Sequence, residues 1–394
     1  MKKIIIITLI IIIAAGLLIT YSKLKNRSFD NLNQEMEHMV SDLVKNDESI
    51  RNCVLSVMKG DGSFSWSGAA GIANQDNQSP MTKDTPICIA SITKLYTATL
   101  IMRLYEEKQI SLDDRMSKHL PGKLINNIHI FKGKDYSNEI TIEQLLSHTS
   151  GIADYYSEKP EGGKSLFEIF MENPEKKWTV VDTIERARDD LKPNFPPGTD
   201  ASYSDTNFQL LGLIIEFVTR RPLQAVYEDI IFRPIGLKHT WLLGHPENIG
   251  DRETAPADVF YKEKSLNELR TNGSYWADGG IVSTVEEMIT FLKALNEGRI
   301  IRKSTLELMH NWHKLKFPLE YGYGTMYFKL PQFISNWVNL PPLWGHSGST
   351  GSFLYYSEDL DLYLAGTINQ AESESKPFFS LISKVIKAVK SNKK

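Results

Sequence analysis

Apolar and polar positions alternate near both ends of the chain and repeat with helical spacing between them. Runs around Cys53–Met58 and Phe64–Ile72 flank Gly60-Asp61-Gly62, which predicts an antiparallel hairpin. Near the C-terminus, Ser352–Tyr356 and Leu360–Thr367 predict a second pair of strands. Strands at both ends with helices between them predict an α/β (α+β) fold, in which one antiparallel sheet is built from the two termini and flanked by helices.

Helical periodicity predicts helices near both termini and in the middle of the chain. A helix from Ser91 to about Glu107 is apolar on most faces and is expected to be buried. Another spans about Phe208 to Val218, and Thr141 with Gln144 forms a capping box that begins a third. The amphipathic helices near the two ends carry the apolar positions Met36, Met39, Val40 and Leu43, and Phe379, Ile382, Val385, Ile386 and Val389.

The first segment differs from the rest, because Lys2 and Lys3 precede an apolar run from Ile4 to Thr20. As a helix this run reaches roughly 25 Å, which suffices for a thinned bilayer. The run continues past its small residues at 14–16, so an uncleaved membrane anchor is favoured over a cleaved signal peptide. The chain is expected at the cell membrane with its main domain outside the cytoplasm, or secreted if the segment is cleaved. The expected segments are an anchor or signal at 1–21, a linker at 22–32 and a main domain at 33–394 with a helical insertion at about 95–275.

Composition and charge are those of an ordinary globular protein and exclude several classes of function. The formal net charge is −3 with both signs mixed along the chain, so nothing indicates a nucleic-acid partner. No H-x-H or H-E-x-x-H motif occurs, and His310 and His313 lack acidic or cysteine neighbours. Neither a metal nor another cofactor is therefore expected. Cys53 and Cys88 are either two buried thiols or a single bridge.

The segment Ser91-Ile92-Thr93-Lys94 places a hydroxyl and an amine three positions apart, on one face of a helix. A serine is a poor nucleophile unless a neighbour accepts or stabilises its proton. A buried lysine can do this, because desolvation lowers its pKa. The alternative is a helix-capping serine with an exposed lysine, but the helix that follows Ser91 is predicted to be buried.

Two further segments carry candidate groups. Tyr203, in Tyr203-Ser204-Asp205, can act as a proton shuttle if it lies near a lysine, because the ammonium makes the phenolate more accessible. The alternative is a tyrosine of the core. In His346-Ser347-Gly348, the glycine permits a close backbone approach, and an amide beside it can donate to an oxyanion. The alternative for this segment is a glycine-rich turn that enters the strand at Ser352.

These three segments, in this order and widely separated, resemble the Ser-x-x-Lys, Tyr-Ser-Asn and Lys-Thr-Gly motifs of penicillin-binding proteins and β-lactamases. The tyrosine form of the middle motif is similar to that of class C β-lactamases, their esterase relatives and DD-peptidases. The resemblance extends over about 33–389 and includes further stretches at 112–114, 145–151 and 279–284. It implies a β-lactamase/transpeptidase-like fold.

The resemblance also implies roles for single residues. Ser91 would be the nucleophile, Lys94 its activator, and Tyr203 the general base and then the general acid to the leaving group. The oxyanion hole would be the backbone amides of Ser91 and Ser349. The residues implied to contact the substrate, a small molecule or a cell-wall peptide, are Asp205, His346, Ser347, Gly348 and Ser349. The chain is thus expected to be a serine hydrolase that cleaves an ester, amide or D-amino-acid peptide bond.

Two residues depart from the family pattern. Asp205 stands where asparagine is usual, and His346 stands where β-lactamases usually have lysine. A carboxylate beside Lys94 and a mostly neutral histidine both disfavour anionic substrates such as β-lactams. Esters and uncharged peptide bonds are therefore expected to be better substrates. β-Lactamase or D-alanyl-D-alanine carboxypeptidase activity proper is the alternative.

Two other functions compete with that of a serine hydrolase of this family. The segment 345–349, Gly-His-Ser-Gly-Ser, approaches the G-x-S-x-G nucleophile elbow of α/β-hydrolases. Such an elbow needs a strand before the serine and a helix after it, whereas Pro341-Pro342 precedes this segment and a strand follows, so this function is excluded. A non-catalytic membrane sensor for penicillin or peptidoglycan with the same fold is the other alternative, because fold alone does not establish turnover.

Overall fold

The computed structural model describes residues 29–244, 255–267, 273–316, 318–331, 340–371 and 376–392. The predicted anchor or signal segment at 1–21 lies outside these residues, as does most of the predicted linker. Within the described ranges, no helix combines the length and the apolar character that a membrane crossing requires.

The described strands are short except in the main sheet. In chain order they are β1 (Asn52–Lys59), β2 (Ser65–Asn74), β3 (Ser79–Pro80), β4 (Ile87–Cys88), β5 (Ile130–Phe131), β6 (Lys134–Asp135), β7 (Trp241–Leu242), β8 (Phe260–Tyr261), β9 (Lys264–Ser265), β10 (Ile281–Ser283), β11 (His313–Lys316), β12 (Leu319–Tyr321), β13 (Met326–Phe328), β14 (Leu343–Gly348), β15 (Ser352–Ser357) and β16 (Leu362–Thr367).

The described helices lie mainly between β4 and β11. In chain order they are α1 (29–46), α2 (Thr93–Glu106), α3 (Gly122–Ile125), α4 (Ile142–Leu146), α5 (Leu166–Glu172), α6 (Val180–Asp189), α7 (Asp205–Thr219), α8 (Leu223–Tyr227), α9 (Arg233–Ile235), α10 (Val285–Asn296), α11 (Lys303–Met309) and α12 (Ser383–Ser391). Short 3-10 turns occur at Ala90–Ile92 and Met116–Lys118, and π-helical turns at Glu228–Phe232 and Phe378–Ile382.

The main sheet is antiparallel and has the strand order β11-β12-β13-β14-β15-β16-β1-β2-β3. Its middle is the pairing of β1 with β16, which runs from Val54 opposite Thr367 to Lys59 opposite Leu362. This pair joins the two ends of the chain, as the sequence predicts. The β1–β2 and β15–β16 pairings predicted on either side of it are also confirmed.

Both faces of the central strands are buried, which is why these strands have nearly continuous apolar sequences. In β1, Cys53, Leu55 and Val57 belong to a smaller core that also contains residues of α1 and α12. Val54 points the other way, into the larger core with α2, α7 and α10. The alternation of side chains along β1 therefore divides them between two cores.

A three-stranded sheet of order β4-β10-β7 fixes the start of α2. The amide of Ile89 donates to the carbonyl of Ile281 at 3.1 Å, and the amide of Ile281 donates to the Thr93 hydroxyl at 3.0 Å. Strand β10 thus holds the chain on both sides of the turn that connects β4 to α2. The predicted capping box of Thr141 and Gln144 is also confirmed, at the start of α4.

Three local predictions are settled by the structure. Ser91 lies in the 3-10 turn, and α2 begins only at Thr93, so the predicted start of this helix at the serine is corrected. His346–Gly348 belong to β14 and pair with β15, so the alternative of a glycine-rich turn at these residues is wrong. Cys53 and Cys88, which both lie in the described ranges, are separate buried thiols rather than a bridge.

Candidate active site

Ser91 follows the buried strand β4 and lies in the turn that leads into α2. Its predecessor Ala90 has a φ of 47°, an unfavourable conformation for a residue with a side chain, which the surrounding structure must hold in place. Lys94 Nζ donates to Ser91 Oγ at 3.0 Å, and the lysine is fully buried. The predicted spacing of three therefore brings the two groups together, and the alternative of an exposed lysine is wrong.

Two more oxygens contact the Lys94 ammonium. Nζ lies 2.5 Å from Asp205 Oδ1 and donates to the backbone carbonyl of Asp278 at 2.7 Å. Burial acts to lower the pKa of Lys94, but the charges of Asp205 and Asp278 oppose it, and the pKa lies above its ordinary value. The expectation of a lysine with a lowered pKa is therefore wrong, because it included desolvation but not the two carboxyl groups. Lys94 is an ammonium ion in this site.

Three carboxyl groups, those of Asp154, Asp205 and Asp278, share the site with this single ammonium. Asp154 Oδ1 accepts the backbone amide of Asp205 at 2.9 Å, and the Tyr155 hydroxyl donates to Asp278 Oδ2 at 2.5 Å. Burial and then the charge of Asp205 raise the pKa of Asp154 and that of Asp278 to about 7. One ammonium cannot stabilise three buried carboxylates, so Asp154 and Asp278 retain protons until near neutral pH.

Tyr203 also lies against Lys94, with its ring centre 5.0 Å from Nζ. Its hydroxyl is buried and has no regular hydrogen bond within the described part of the chain. Burial and then the charge of Asp205 raise the pKa of the phenol well above its ordinary value, whereas the neighbouring Ser91 hydroxyl acts to lower it. Tyr203 is thus a neutral phenol beside Ser91. The expectation that Lys94 makes the phenolate accessible is not met, because burial and then the carboxylate of Asp205 raise the pKa of the phenol.

His148 holds the segment that carries Tyr203. Its Nδ1 accepts the backbone amide of Ser204 at 3.1 Å, and its ring lies 4.4 Å from that of Tyr203 between centroids. Burial and then the charge of Lys94 lower the pKa of His148 well below its ordinary value. The neutral ring therefore keeps Nδ1 as an acceptor and fixes the position of the Tyr203 backbone.

His346 is fully buried in β14 and makes two hydrogen bonds. Its Nδ1 donates to the carbonyl of Ser347 at 2.7 Å, since a carbonyl can only accept, and its Nε2 accepts the Tyr321 hydroxyl at 3.0 Å. Burial and then the charge of Lys94 lower the pKa of His346 to about 3. His346 is therefore neutral at physiological pH and supplies no positive charge to the site.

The turn after β14 lies against the end of β4, which precedes Ser91. A Cβ on Gly348 would lie 2.4 Å from the carbonyl oxygen of Ile89, so only glycine permits this contact. The Ser352 hydroxyl donates to the same carbonyl at 2.8 Å. Ser349 begins the turn and lines a cavity together with Ala90, whereas the Ser347 hydroxyl is engaged with Tyr355 at 2.8 Å. These contacts bring the Ser349 turn beside the turn that carries Ser91.

Four residues of this site were not predicted from the sequence, namely His148, Asp154, Asp278 and Tyr321. Asp278 directly precedes Gly279-Gly280, and Asp154 follows Gly151, so both adjoin stretches that resemble the family. That adjacency was an available signal. Tyr321 carries no comparable signal, because only the pairing of strands brings it to His346. Among the described residues, no group of three or more His, Cys, Asp or Glu side chains is arranged to hold a metal ion.

A family model described as Beta-lactamase matches residues 37–379. The matched range contains all the residues of the site described above. The predicted relationship of the chain to this family is confirmed.

Relatives and solved structures extend this comparison. The chain is 29% identical over 175 residues to Penicillin-binding protein 4 of Amycolatopsis lactamdurans, which covers 44% of this chain and 41% of the relative. It is 34% identical over 162 residues to a putative D-alanyl-D-alanine carboxypeptidase of Escherichia coli (strain K12), which covers 40% of this chain and 34% of the relative. The match thus spans less than half the length of these curated relatives.

Similarity to a solved structure covers nearly the whole chain. A D-stereospecific amidohydrolase from Streptomyces sp. matches with a TM-score of 0.68 and 28% identity, over 91% of this chain and 98% of that chain. The fold predicted from the sequence is therefore confirmed.

Asp154→Asn is expected to change how stability depends on pH. The pKa of Asp154 is about 7 in the folded protein, and about 3.9 is ordinary for an unfolded chain. Between these values only the folded state holds the proton, so the free energy of unfolding contributed by this carboxyl falls as the pH rises. Relative to the unmodified protein, the variant should gain on the order of 4 kcal/mol between pH 4 and pH 7. Urea denaturation at several pH values measures this difference.

Asp182→Asn provides a matched control. Asp182 lies in the first turn of α6, where hydrogen bonds from Thr179 lower its pKa. Its carboxyl is thus ionised in both states above about pH 5, and the control should show a constant difference from there to pH 7. A constant difference for Asp154→Asn over the same range would show that the pKa of Asp154 is not raised in the folded protein.

Proposed function

The chain belongs to the β-lactamase family, and on that premise we propose that it is a serine hydrolase that cleaves an ester or amide bond through an acyl-enzyme on Ser91. The observation that carries this proposal is the 3.0 Å contact between Ser91 Oγ and the buried ammonium of Lys94. An ammonium ion is costly to bury, by several kcal/mol. Its position beside a serine hydroxyl is accounted for if its charge stabilises the reacting serine.

Lys94 acts through its charge rather than as a base. Its pKa is raised, so the ammonium has no lone pair with which to take the Ser91 proton. It donates a hydrogen bond to Oγ instead, and that bond strengthens as negative charge develops on the oxygen during attack. The contact with Asp205 keeps the ammonium oriented toward the serine.

Tyr203 transfers the protons. As Ser91 Oγ bonds to the carbonyl carbon and the leaving group departs, the serine proton passes to the Tyr203 oxygen, and the phenol's own proton passes to the leaving oxygen or nitrogen. The phenol is neutral before and after, which suits a group with a raised pKa. In deacylation, water gives its proton to Tyr203 and adds to the acyl carbon, and Tyr203 returns a proton to Ser91 Oγ.

The backbone amides of Ser91 and Ser349 receive the oxyanion of the tetrahedral intermediate. The contact between Gly348 and Ile89 supports this role, because it holds the turns that carry the two amides side by side. Donors fixed in advance at such a position lower the barrier by about 3 kcal/mol each.

The charges of the site favour substrates that are uncharged at the reacting end. Lys94 is paired with Asp205, and His346 is neutral. A substrate carboxylate at about 4 Å from Asp205 would meet a repulsion of about 4 kcal/mol from that residue at an effective dielectric constant of 20, which offsets the attraction it would otherwise gain from Lys94. β-Lactams and D-alanyl peptides carry such a carboxylate, whereas simple esters and amides do not. We therefore assign an amide or ester substrate ahead of the D-alanyl-D-alanine substrate for which the putative Escherichia coli carboxypeptidase is named. The amide agrees with the name of the similar Streptomyces amidohydrolase.

We further propose that the apolar run at 4–20 holds the protein at the membrane, with the catalytic domain outside the cytoplasm. The length of the run supports this attachment. Basic residues lie on both sides of the run, Lys2 and Lys3 before it and Lys23, Lys25 and Arg27 after it, so their charge does not favour either orientation. At this location a cell-wall peptide is also a candidate substrate, provided that its reacting end is uncharged.

Ser91→Ala is expected to abolish the acyl-enzyme and to lower turnover of a nitrophenyl ester by several orders of magnitude, because the attacking oxygen is lost. Intact mass after a short incubation with the ester measures the acyl adduct, and absorbance measures turnover. Ser347→Ala is the control, and it should retain the adduct. Labelling of Ser347 by a serine-reactive phosphonate, in place of Ser91, would contradict the proposed mechanism. A single burst of product without continued turnover would identify a sensor rather than a hydrolase.

Asp205→Asn is expected to shift the preference toward anionic substrates, because it removes the carboxylate that pairs with Lys94. The ratio of kcat/KM for a chromogenic cephalosporin to that for a nitrophenyl ester should rise by about a thousandfold, the equivalent of one like-charge contact. Asp200→Asn, an exposed carboxylate five positions earlier, is the matched control and should leave the ratio unchanged. Efficient hydrolysis of the cephalosporin by the unmodified protein would refute the substrate assignment.

Full-length protein is expected in the membrane fraction and should require detergent for release, because the apolar run at 4–20 partitions into lipid. Fractionation with an antibody to the catalytic domain, together with protease treatment of intact cells, measures both attachment and side. The same chain without residues 1–28 is the control. Recovery of the full-length chain in the soluble cytoplasmic fraction would argue against this location.

A further inference from the structure

An apolar cavity of about 260 Å³ opens beside the Ser91 turn. Its wall includes Ala90, which precedes Ser91, and Ser349, which the proposed function assigns to the oxyanion hole. The rest of the described wall is mostly aromatic and aliphatic, and its large side chains are Tyr156, Phe167, Leu243, Val259, Leu266 and Tyr275. Of the described residues that line the cavity, none carries a formal charge.

The apolar wall comes from two small clusters that are separate from the two main cores. Tyr156 and Tyr275 pack on one cluster, around Tyr155 and Phe170. Leu243 packs on the other, around Trp241 and Val259, and Leu266 contacts both. Four of these side chains are only half-buried, namely those of Tyr156, Tyr275, Leu243 and Leu266. Part of their apolar surface therefore faces the cavity instead of packing inside a core. A concave apolar surface of this kind next to a reactive group is typical of a ligand site.

We propose that this cavity binds the acyl part of the substrate and selects a large apolar or aromatic acyl group. The assignment rests on the proposed function, because it takes Ser91 as the acylated residue. The cavity borders the residues before Ser91 and at the oxyanion turn. The hydroxyl of Tyr203 protonates the leaving group, and the ring of Tyr203 contacts His148 and Tyr321 rather than the cavity wall. The leaving group therefore departs toward Tyr203, and the acyl group extends into the cavity.

The size and the polarity of the cavity define the class of acyl group. An apolar cavity of roughly 150 Å³ holds benzene, so about 260 Å³ accommodates a phenyl ring and a short linker. The hydroxyls of Tyr156 and Tyr275 bond to each other at 3.3 Å, which leaves their rings to face the ligand. A charged acyl group would lose its hydration there without a charged partner, so it is disfavoured.

The experiment compares nitrophenyl esters that share one leaving group. The acyl groups are acetyl, 3-phenylpropanoyl and succinyl, and each kcat/KM is divided by the uncatalysed rate of the same ester. For the unmodified protein, this normalised kcat/KM is expected to be at least about tenfold higher for the 3-phenylpropanoyl ester than for the acetyl ester, because an added apolar contact gives a discrimination of this size. The succinyl ester should fall below the acetyl ester, because its carboxylate enters an uncharged cavity.

Two variants change the cavity in opposite ways. Ala371 also lines the cavity. Ala371→Phe therefore places a ring in the cavity and should remove the preference for the aromatic ester, while the acetyl ester keeps its kcat/KM within about threefold. Phe167→Ala removes one wall and should lower the preference by about tenfold. Phe217→Ala, at a half-exposed position late in α7, is the matched control and should leave both esters unchanged. If Ala371→Phe does not fold, Phe167→Ala decides the question.

The outcomes separate this inference from the proposed function. Equal turnover of the acetyl and 3-phenylpropanoyl esters, lost in Ser91→Ala, would overturn the acyl cavity and leave the serine hydrolase standing. An equal loss for both esters in Phe167→Ala, with an unchanged melting temperature, would also overturn it. Turnover of all esters that persists in Ser91→Ala would overturn the proposed function and this inference with it.

Discussion

The buried ammonium of Lys94 is the interaction on which the rest of the site depends. An ammonium ion has three N–H donors, and each must find an acceptor if the ion is to remain charged away from water. Here three oxygens surround Nζ, namely Ser91 Oγ, which accepts a hydrogen bond, Asp205 Oδ1, which forms an ion pair, and the carbonyl of Asp278, which accepts a hydrogen bond. They come from the turn after β4, the start of α7 and the loop before β10. The fold must therefore assemble these three segments before the ion can be buried at all.

The same ion determines the protonation of its neighbours. Its positive charge lowers the pKa of His346 and that of His148, which burial already lowers, so both rings are neutral. On the other side, burial and then the negative charge of Asp205, which lies close to Lys94, raise the pKa of Asp154 and that of Asp278. Neutral rings and protonated carboxyls leave the Lys94–Asp205 pair as the main charges of the site near pH 6. A nearly neutral centre of this kind attracts neither strong anions nor strong cations.

The sequence was sufficient for the scaffold and for the spacing of the reactive groups, but not for the balance of charge. The strands at both ends were predictable because β1 and β16 are long, apolar and bounded by turn residues. Ser91 and Lys94 were predictable because a separation of three is a local property of a helix or a 3-10 turn. The direction of the pKa shift of Lys94 was mispredicted. Desolvation can be anticipated from an apolar helix, but the contact with Asp278 cannot, because that residue lies almost two hundred positions away in the sequence. The segment that contains His346 was similarly open to two interpretations, a turn or a strand. Its glycines suit both, because glycine permits a tight turn and also a close approach between backbones.

The polar centre and the apolar cavity are coupled through water. The interaction between Lys94 and the developing charge on Ser91 Oγ strengthens as the local dielectric constant falls, and it weakens where water reaches the ammonium. Lys94 is already inaccessible, whereas Ser91 is only half-buried and follows Ala90, which lines the cavity, so water in an empty cavity lies next to the Ser91 turn. In the proposed mechanism, an apolar acyl group that fills the cavity would exclude that water and leave the oxyanion to the amides of Ser91 and Ser349. Burial of the substrate and stabilisation of the transition state would then be one event, since the group that occupies the cavity would also strengthen the electrostatic interactions beside it.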